Sequence, residues 1–191
     1  GFTGPQIIDA GGAGSDNRSI WLVAWSPNTV TGIYPKNTKA GLMHMDATAN
    51  DRAGPDSYPI GDYVKDADNN DYLAYKDHYQ WNCGLAVKDY RYIVRIAHID
   101  KSELVKTGAT GADLQDLMIQ ALETIHSTDM PGMNVVFYAP RIISSFLRRQ
   151  MVSQKNAFLS WSEIGGKRVT TFDTVPIRRT DALNVDEARV T

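Results

Sequence analysis

The sequence has few of the residues that mark several protein classes. Cys83 is the single cysteine, so the chain cannot carry a disulfide framework of its own. No apolar run approaches the ~20 residues of a membrane-spanning helix, and we predict no membrane partner. The formal net charge of −2 argues against a dedicated nucleic-acid-binding domain, because such domains are usually strongly basic.

Glutamate is also scarce, with 4 Glu against 18 Asp. Asp favours turns and helix caps whereas Glu favours helix interiors, so this ratio predicts a chain rich in strands and loops. The 191 residues, 42% of them apolar, suffice for one domain or two small ones and exclude intrinsic disorder. The chain begins at Gly1 with neither an initiator methionine nor a signal peptide, and we therefore expect a fragment.

Strand patterns dominate the first half of the chain. The apolar run at residues 20–25 predicts a buried strand, and residues 30–34 predict a second strand that forms a hairpin with it. Residues 41–46 predict a third strand. Apolar and polar residues alternate over residues 79–87, which predicts a strand with one buried face, and Cys83 on that face is interpreted as a core residue.

Helix patterns belong to the second half. Apolar residues recur at helical spacing over residues 114–125 and predict an amphipathic helix, for which Thr110 and Asp113 resemble a capping box. Pro140 is well placed for the first turn of a second helix. Residues 160–172 contain two short strand patterns around a glycine pair and predict a β-hairpin.

Charge is divided between the two halves. Residues 46–77 contain eight Asp against three basic residues, a balance of −5, and residues 141–179 contain eight basic residues against two acidic ones, a balance of +6. Within the acidic stretch, residues 47–71 hold two prolines and few large aliphatic residues. This composition predicts a long acidic loop, and loops of such length are usually functional or disordered.

No motif predicts a catalytic site or a cofactor. The glycine run at residues 11–14 lacks the Gly-Lys-Ser/Thr ending of a phosphate-binding loop, so we interpret it as a structural turn. None of the four histidines has a second His or Cys at zinc-binding spacing. A Gly-x-Ser-x-Gly nucleophile elbow is also missing.

The alternative to a non-catalytic protein is a calcium- or metal-binding module, or a metal-dependent enzyme, built on residues 66–77. Asp66, Asp68 and Asn70 have the spacing of the first three oxygen ligands of an EF-hand loop, and Asp77 takes the twelfth position. However, Asp71 stands where the sharp turn requires glycine, and the flanking residues do not have helical patterns. An accidental Asp-rich turn is therefore the favoured interpretation.

Several ordered segments resemble one protein family. The segments are residues 6–12 (QIIDAGG), 15–23 (SDNRSIWLV), 32–36 (GIYPK), 40–42 (AGL), 90–100 (YRYIVRIAHID), 146–150 (FLRRQ) and 172–183 (FDTVPIRRTDAL). Together they resemble the major capsid proteins of short-tailed bacteriophages and of their integrated prophages. Two features depart from the family: His98 stands where relatives often have Asn, and the acidic stretch 47–71 has no counterpart that we can match.

The resemblance implies an α+β, Hong Kong 97-type capsid fold in which a β-rich module precedes a sheet-and-helix module of the axial type. Residues 1–18 would connect to the preceding chain, residues 19–101 would form the β-rich module, and residues 102–191 the axial-type module, all within one intertwined subunit core. The N-terminal arm, the extended loop and the spine helix of the family would precede Gly1.

The resemblance also implies a structural and non-enzymatic role. The chain would be a major capsid subunit that assembles with copies of itself, in pentamers and hexamers, into an icosahedral shell around phage DNA. Further partners would be a scaffold or decoration protein and the packaged DNA, bound without sequence specificity. The protein would lie in the virion after a stage in the host cytoplasm.

Subunits of a closed shell meet through ring-forming contacts between different surfaces. The separation of charge along the chain predicts that the acidic stretch of one subunit meets basic residues of its neighbour, although any one of these residues would equally suit a solvated surface. The candidate contact residues are Asp66, Asp68, Arg148, Arg149, Arg178 and Arg179.

Overall fold

The computed structural model describes residues 4–36, 41–46, 62–74, 77–102, 104, 112–153, 159–164, 166–183, 187 and 189. The strands within these ranges are β1 (Ile7–Asp9), β2 (Asn17–Trp25), β3 (Val30–Ile33), β4 (Leu42–Asp46), β5 (Asp62–Lys65), β6 (Asp71–Ala74), β7 (Asp77–Trp81), β8 (Gly84–Val87), β9 (Ile93–Asp100), β10 (Asn134–Ala139), β11 (Leu159–Ile164), β12 (Lys167–Phe172) and β13 (Val175–Arg179). The helices are α1 (Leu114–Thr124) and α2 (Arg141–Ser153), and a 3₁₀ turn spans Tyr90–Tyr92. The predicted α+β class is confirmed.

One mixed sheet organises most of the structure. Seven of its strands lie in the order β1-β9-β2-β10-β13-β12-β11, and β3 joins it through β2 and also pairs with β8. β2 is antiparallel to both β9 and β10, whereas β1 is parallel to β9 and β10 is parallel to β13. Strands from both halves of the sequence therefore share this sheet.

The predicted strand at residues 20–25 is confirmed as part of β2. Its inward face consists of Ile20, Leu22 and Ala24, each at most 1% exposed. The predicted hairpin with β3 is wrong, because the Trp25–Val30 bridge is parallel. The intervening turn is closed by Thr29 Oγ1, which donates to the Ala24 carbonyl at 2.7 Å.

The predicted continuous strand over residues 79–87 is also wrong. It is broken at Asn82 and Cys83 into β7, which pairs with β4, and β8, which pairs with β3. The face expected to be buried is exposed, and Cys83 itself is exposed and is not a core residue. Alternation indicates that one face of a strand is apolar, but it does not show that the same chain buries that face.

The two helices supply the rest of the core. α1 is confirmed and buries Leu114, Met118 and Ala121, but its cap is Asp113, whose carboxylate accepts from Gln115 N at 3.1 Å. Thr110, the first residue of the predicted capping box, lies outside the described residues.

The second helix, α2, is confirmed directly after Pro140, whose carbonyl accepts from Ser144 N at 2.9 Å. Its buried face consists of Ile143, Phe146 and Leu147. The predicted hairpin is confirmed as β11–β12, with Gly166 in its turn at φ +76°. Neither described helix combines the length and the apolar run needed to cross a membrane.

The chain divides into two units. The first, which we call the sheet unit, comprises Gly1–Thr31 and Val87–Thr191, and the second, the ribbon unit, comprises Gly32–Ala86. The ribbon unit contains two antiparallel ribbons, β4–β7 and β5–β6. The predicted modules at residues 19–101 and 102–191 remain a prediction.

The ribbon unit also corrects the predicted acidic loop. Residues 62–65 form β5 and residue 71 begins β6, so the second part of the loop predicted over residues 47–71 is a hairpin. Residues 47–61 lie outside the described part of the chain. β5 and β6 pair from Asp62 opposite Ala74 to Lys65 opposite Asp71. This pairing gives the segment a regular structure that the prolines and aspartates of the predicted loop did not indicate.

Candidate assembly surfaces

Arg148 and Arg149 lie on the outer face of α2. The helix buries Phe146 and Leu147 toward the sheet, so the next two residues turn toward solvent, and both arginine side chains are exposed. The guanidinium of Arg149 lies 5.7 Å from the centre of the Phe146 ring, an arrangement that holds the charged group against the helix surface. This pair therefore presents positive charge on a rigid element.

Arg178 and Arg179 lie at the end of β13, beside the last residues of β10. Both are exposed, and Arg179 approaches the Asp181 carboxylate at 4.0 Å. Arg141 at the start of α2 reaches the same carboxylate at 2.9 Å, and this hydrogen bond lowers the pKa of Asp181. One carboxylate thus faces two arginines, so the cluster keeps a net positive charge.

Asp66 and Asp68 lie in the turn between β5 and β6, and both are exposed. The Asp66 carboxylate accepts from Asp68 N and from Asn70 N, each at 2.9 Å. The Asn70 N–H is the main cause of the lowered pKa of Asp66. Asp66 therefore stabilises the turn, and Asp68 is the acidic side chain better placed to meet another molecule.

The same geometry gives no support to the calcium-loop alternative at residues 66–77. In an EF-hand the twelve residues wrap around the ion, but here residues 71–74 form β6 and pair along their length with β5. Asp66, the first proposed ligand, is turned onto backbone N–H groups of its own turn. Among the described residues there is no group of three or more His, Cys, Asp or Glu side chains that could hold a metal.

A partly buried contact that the sequence did not predict ties Glu187 to the sheet. Glu187 accepts from Arg95 Nη2 at 2.8 Å and from Ser19 Oγ, and Arg95 Nε donates to Ser19 Oγ at 3.0 Å. The Arg95 and Glu187 side chains are only 19% and 11% exposed. The guanidinium also lies 5.3 Å from the centre of the Trp21 ring. These groups fasten the C-terminal segment across β2 and β9.

Replacing Glu187 with alanine is expected to lower the free energy of unfolding by about 2 kcal/mol, because Arg95 would lose a charge-assisted hydrogen bond in a poorly hydrated position. Urea denaturation measures the change. Asp181→Ala removes an exposed partner of Arg141 and is the matched control, for which we expect a much smaller change. If both variants lost the same free energy of unfolding, the low exposure of Glu187 would not be the reason for the large effect expected there.

A second, partly buried contact involves His98, the residue that departs from the resembled family. His98 is 3% exposed, has a positive φ of 59°, and places Nδ1 2.8 Å from Asp9 Oδ1. The Gly11 N–H, which donates to Asp9 at 2.8 Å, and then His98 hold the pKa of that carboxyl below its usual range. The contact holds β1 to β9 and thereby positions the glycine run.

The largest feature that the sequence analysis missed is a set of exposed apolar side chains. The described large hydrophobic side chains that are at least 46% exposed are Ile33, Tyr34, Leu42, Tyr72, Tyr79, Trp81, Leu85, Val87 and Tyr90. The alternating pattern at residues 79–87 was the available signal, but it was interpreted as a face of the chain's own core. Contiguous exposed apolar patches commonly mark interaction sites, so these side chains are candidates for contact with another molecule.

Comparison with known proteins finds one family and one solved structure that resemble this chain. The family described as "GP7: Major capsid protein GP7" matches residues 1–191. A chain in the solved structure of bacteriophage Epsilon15, derived from cryo-EM and modeling, is 33% identical with a TM-score of 0.56. The alignment covers 96% of this chain and 53% of that chain, so this chain spans about half the length of its structural relative. No curated protein matches.

The match to the Epsilon15 chain agrees with the capsid fold that the sequence resemblance implied. The family match extends over both the sheet unit and the ribbon unit, so it does not depend on one motif. The chain therefore belongs to the major capsid protein GP7 family.

Proposed function

We propose that the protein is the shell-forming subunit of a phage capsid, which assembles with copies of itself as pentamers and hexamers around the packaged DNA. The observation that carries this proposal is the family match over the whole chain. The exposed surfaces suit the role, because a shell subunit needs broad contact faces more than a concave pocket.

Expression of the complete protein tests this function. We expect closed shells, or rings of five and six subunits, in electron micrographs and fast-sedimenting material on density gradients. A protein that stays monomeric at all concentrations, alone and with the scaffold of its phage, would contradict the proposal. A scaffold or decoration protein and the DNA are partners of the assembled shell, and the net charge of −2 suits contact with DNA without sequence readout.

Within this function, the acidic turn of one subunit meets the arginine surfaces of a neighbour. The turn presents Asp68 beside the more internally bonded Asp66, and the sheet unit presents Arg148 with Arg149 and Arg178 with Arg179. Exposed ion pairs contribute only about 0–1 kcal/mol each, so their main effect is on the orientation and rate of association.

Charge reversal tests these contacts. Arg178→Glu/Arg179→Glu and Arg148→Glu/Arg149→Glu are each expected to slow shell assembly, measured by light scattering at low and high salt. Asp68→Lys should slow it as well, and combining Asp68→Lys with the arginine variant that it contacts should restore part of the rate.

The matched control, Lys36→Glu/Lys101→Glu, makes the same change of charge at exposed positions outside these surfaces. It should assemble at the unsubstituted rate. Normal assembly by both arginine variants would exclude the arginines as subunit contacts. Equal slowing by the control would mean that net charge, and no specific pairing, controls assembly.

A further inference from the structure

The ribbon unit has no apolar core among its described residues. The buried hydrophobic side chains of the described residues lie in the sheet unit, from Ile20 to Val30 or from Tyr92 to Ile177. Seven of the nine exposed large hydrophobic side chains of the described chain lie in the ribbon unit. Two-stranded ribbons are only marginally stable in water, and burial of exposed apolar side chains against another molecule stabilises them.

The β4–β7 ribbon carries the three most exposed of the described large hydrophobic side chains in the ribbon unit that belong to strands. Leu42 and Trp81 are directly opposite each other in its antiparallel register, and Tyr79 lies two residues before Trp81 on the same strand face. Their exposed fractions are 69%, 65% and 61%. We call these three residues the ribbon patch.

The size of the ribbon patch suits the centre of a protein interface. An aromatic side chain buries roughly 150–250 Å². The exposed parts of the two aromatic side chains and of the leucine together present about 400 Å², roughly half of the ~800 Å² per partner in a standard interface. Tryptophan and tyrosine are also the residue types that dominate binding energy at such centres.

We infer that the ribbon patch docks on the sheet unit of a neighbouring copy of this chain, an inference that rests on the proposed function. Charge complementarity favours this occupant. Residues 62–74 of the ribbon unit contain four Asp and one Lys, whereas the sheet unit exposes Arg148, Arg149, Arg178 and Arg179. Guanidinium groups also bind to the faces of Trp and Tyr rings.

The sheet unit is the better receiving surface for a second reason. A symmetric contact between two ribbon units would bring two negatively charged turns together. Repulsion between these charges disfavours that contact. Contact between two different surfaces of successive copies closes into a ring, as five-fold and six-fold capsomers require. The ribbon patch would thus supply the binding energy and the charged residues the orientation.

Substitution of the patch in the complete protein tests this inference. Trp81→Ser and Leu42→Ser should each weaken subunit association by about 30-fold, the equivalent of losing one hot-spot side chain, with a loss of shells in electron micrographs. Lys101→Ser is the control, because it also truncates an exposed side chain but at a position outside both the exposed apolar side chains and the arginine surfaces. It should assemble normally, and all three variants should keep the thermal unfolding temperature of the unassembled subunit.

Cys83 provides a test without any change of the patch. It is exposed and lies two residues after Trp81, so alkylation of this thiol, located by peptide mass spectrometry, reports on access to the end of β7. We expect rapid alkylation in free subunits and strong protection in assembled shells.

Three results would overturn the inference. The first is equal alkylation of Cys83 in shells and in free subunits, and the second is a normal shell yield from both patch variants. The third is a pair of variants that build shells but fail to recruit a decoration protein, which would assign the patch to that partner. If the unsubstituted protein forms no shells or capsomers, the proposed function fails, and this inference fails with it.

Discussion

Replacing Phe137 with alanine is expected to lower the free energy of unfolding by about 3–5 kcal/mol, the usual cost of removing a buried aromatic side chain. Phe137 is 0% exposed and lies in β10, between Leu22 of β2 and Ile177 of β13. Its ring meets Phe172 edge to face, with the centres 6.1 Å apart. The surrounding strands are hydrogen-bonded to one another and have little freedom to close the cavity.

Equilibrium unfolding in urea measures this loss, with the slope of the transition checked for a change in cooperativity. Tyr90→Ala is the matched control, because it removes a similar ring from a position that is 65% exposed and should change stability by at most about 0.5 kcal/mol. Phe137→Leu should cost less than half of the alanine substitution. A loss below about 1 kcal/mol for Phe137→Ala would mean that this sheet is not the stabilising core.

The elements that the sequence predicts well are those covered by their own chain. Residues 20–25 form the buried centre of β2, and the helical spacing at residues 114–125 gives α1, because Leu114 and Met118 pack on the sheet that the same molecule supplies. The spacing of apolar residues indicates which face of a helix or strand is apolar and packs against another surface. Where the same chain supplies that packing surface, the prediction that the face is buried is also correct.

At residues 79–87 the same rule predicts burial wrongly. The alternation of Tyr79, Trp81, Leu85 and Val87 is real, but all four side chains are exposed in the isolated chain. The pattern contains no information about which molecule supplies the cover. For a protein that associates with copies of itself, an apolar strand face and a core strand are therefore indistinguishable in sequence.

The other contacts join residues that are far apart in the sequence, so local sequence patterns do not predict them. Ser19 and Glu187 are 168 residues apart, and no local pattern links a serine in a strand to a glutamate near the end of the chain. The candidate arginines were predicted to contact a neighbouring subunit, which stays a prediction, and all four are exposed in the chain. The pairing of Arg179 and Arg141 with Asp181 depended on β10, α2 and β13 meeting at one corner, which spacing alone does not specify.

The second large effect concerns Gly12, in the glycine run that was interpreted as a structural turn. Gly12 is buried, and its N–H donates to the His98 carbonyl at 2.9 Å. A Cβ at this position would overlap that carbonyl oxygen and lie 2.9 Å from Asp100 N. Both neighbours are backbone atoms of β9, which also pairs with β1 and β2. Removing this overlap therefore requires β9, which has a paired strand on each side, to move.

Gly12→Ala is accordingly expected to cost about 3 kcal/mol, at the upper end of the range for an overpacked site, because no flexible side chain can absorb the overlap. Gly4→Ala is the matched control, since a Cβ there has no neighbour within 4 Å, and it should leave stability nearly unchanged. Urea unfolding of the two variants gives the comparison. If Gly12→Ala were as stable as Gly4→Ala, the run would have no need of glycine for close packing, and its role as a structural turn against β9 would be wrong.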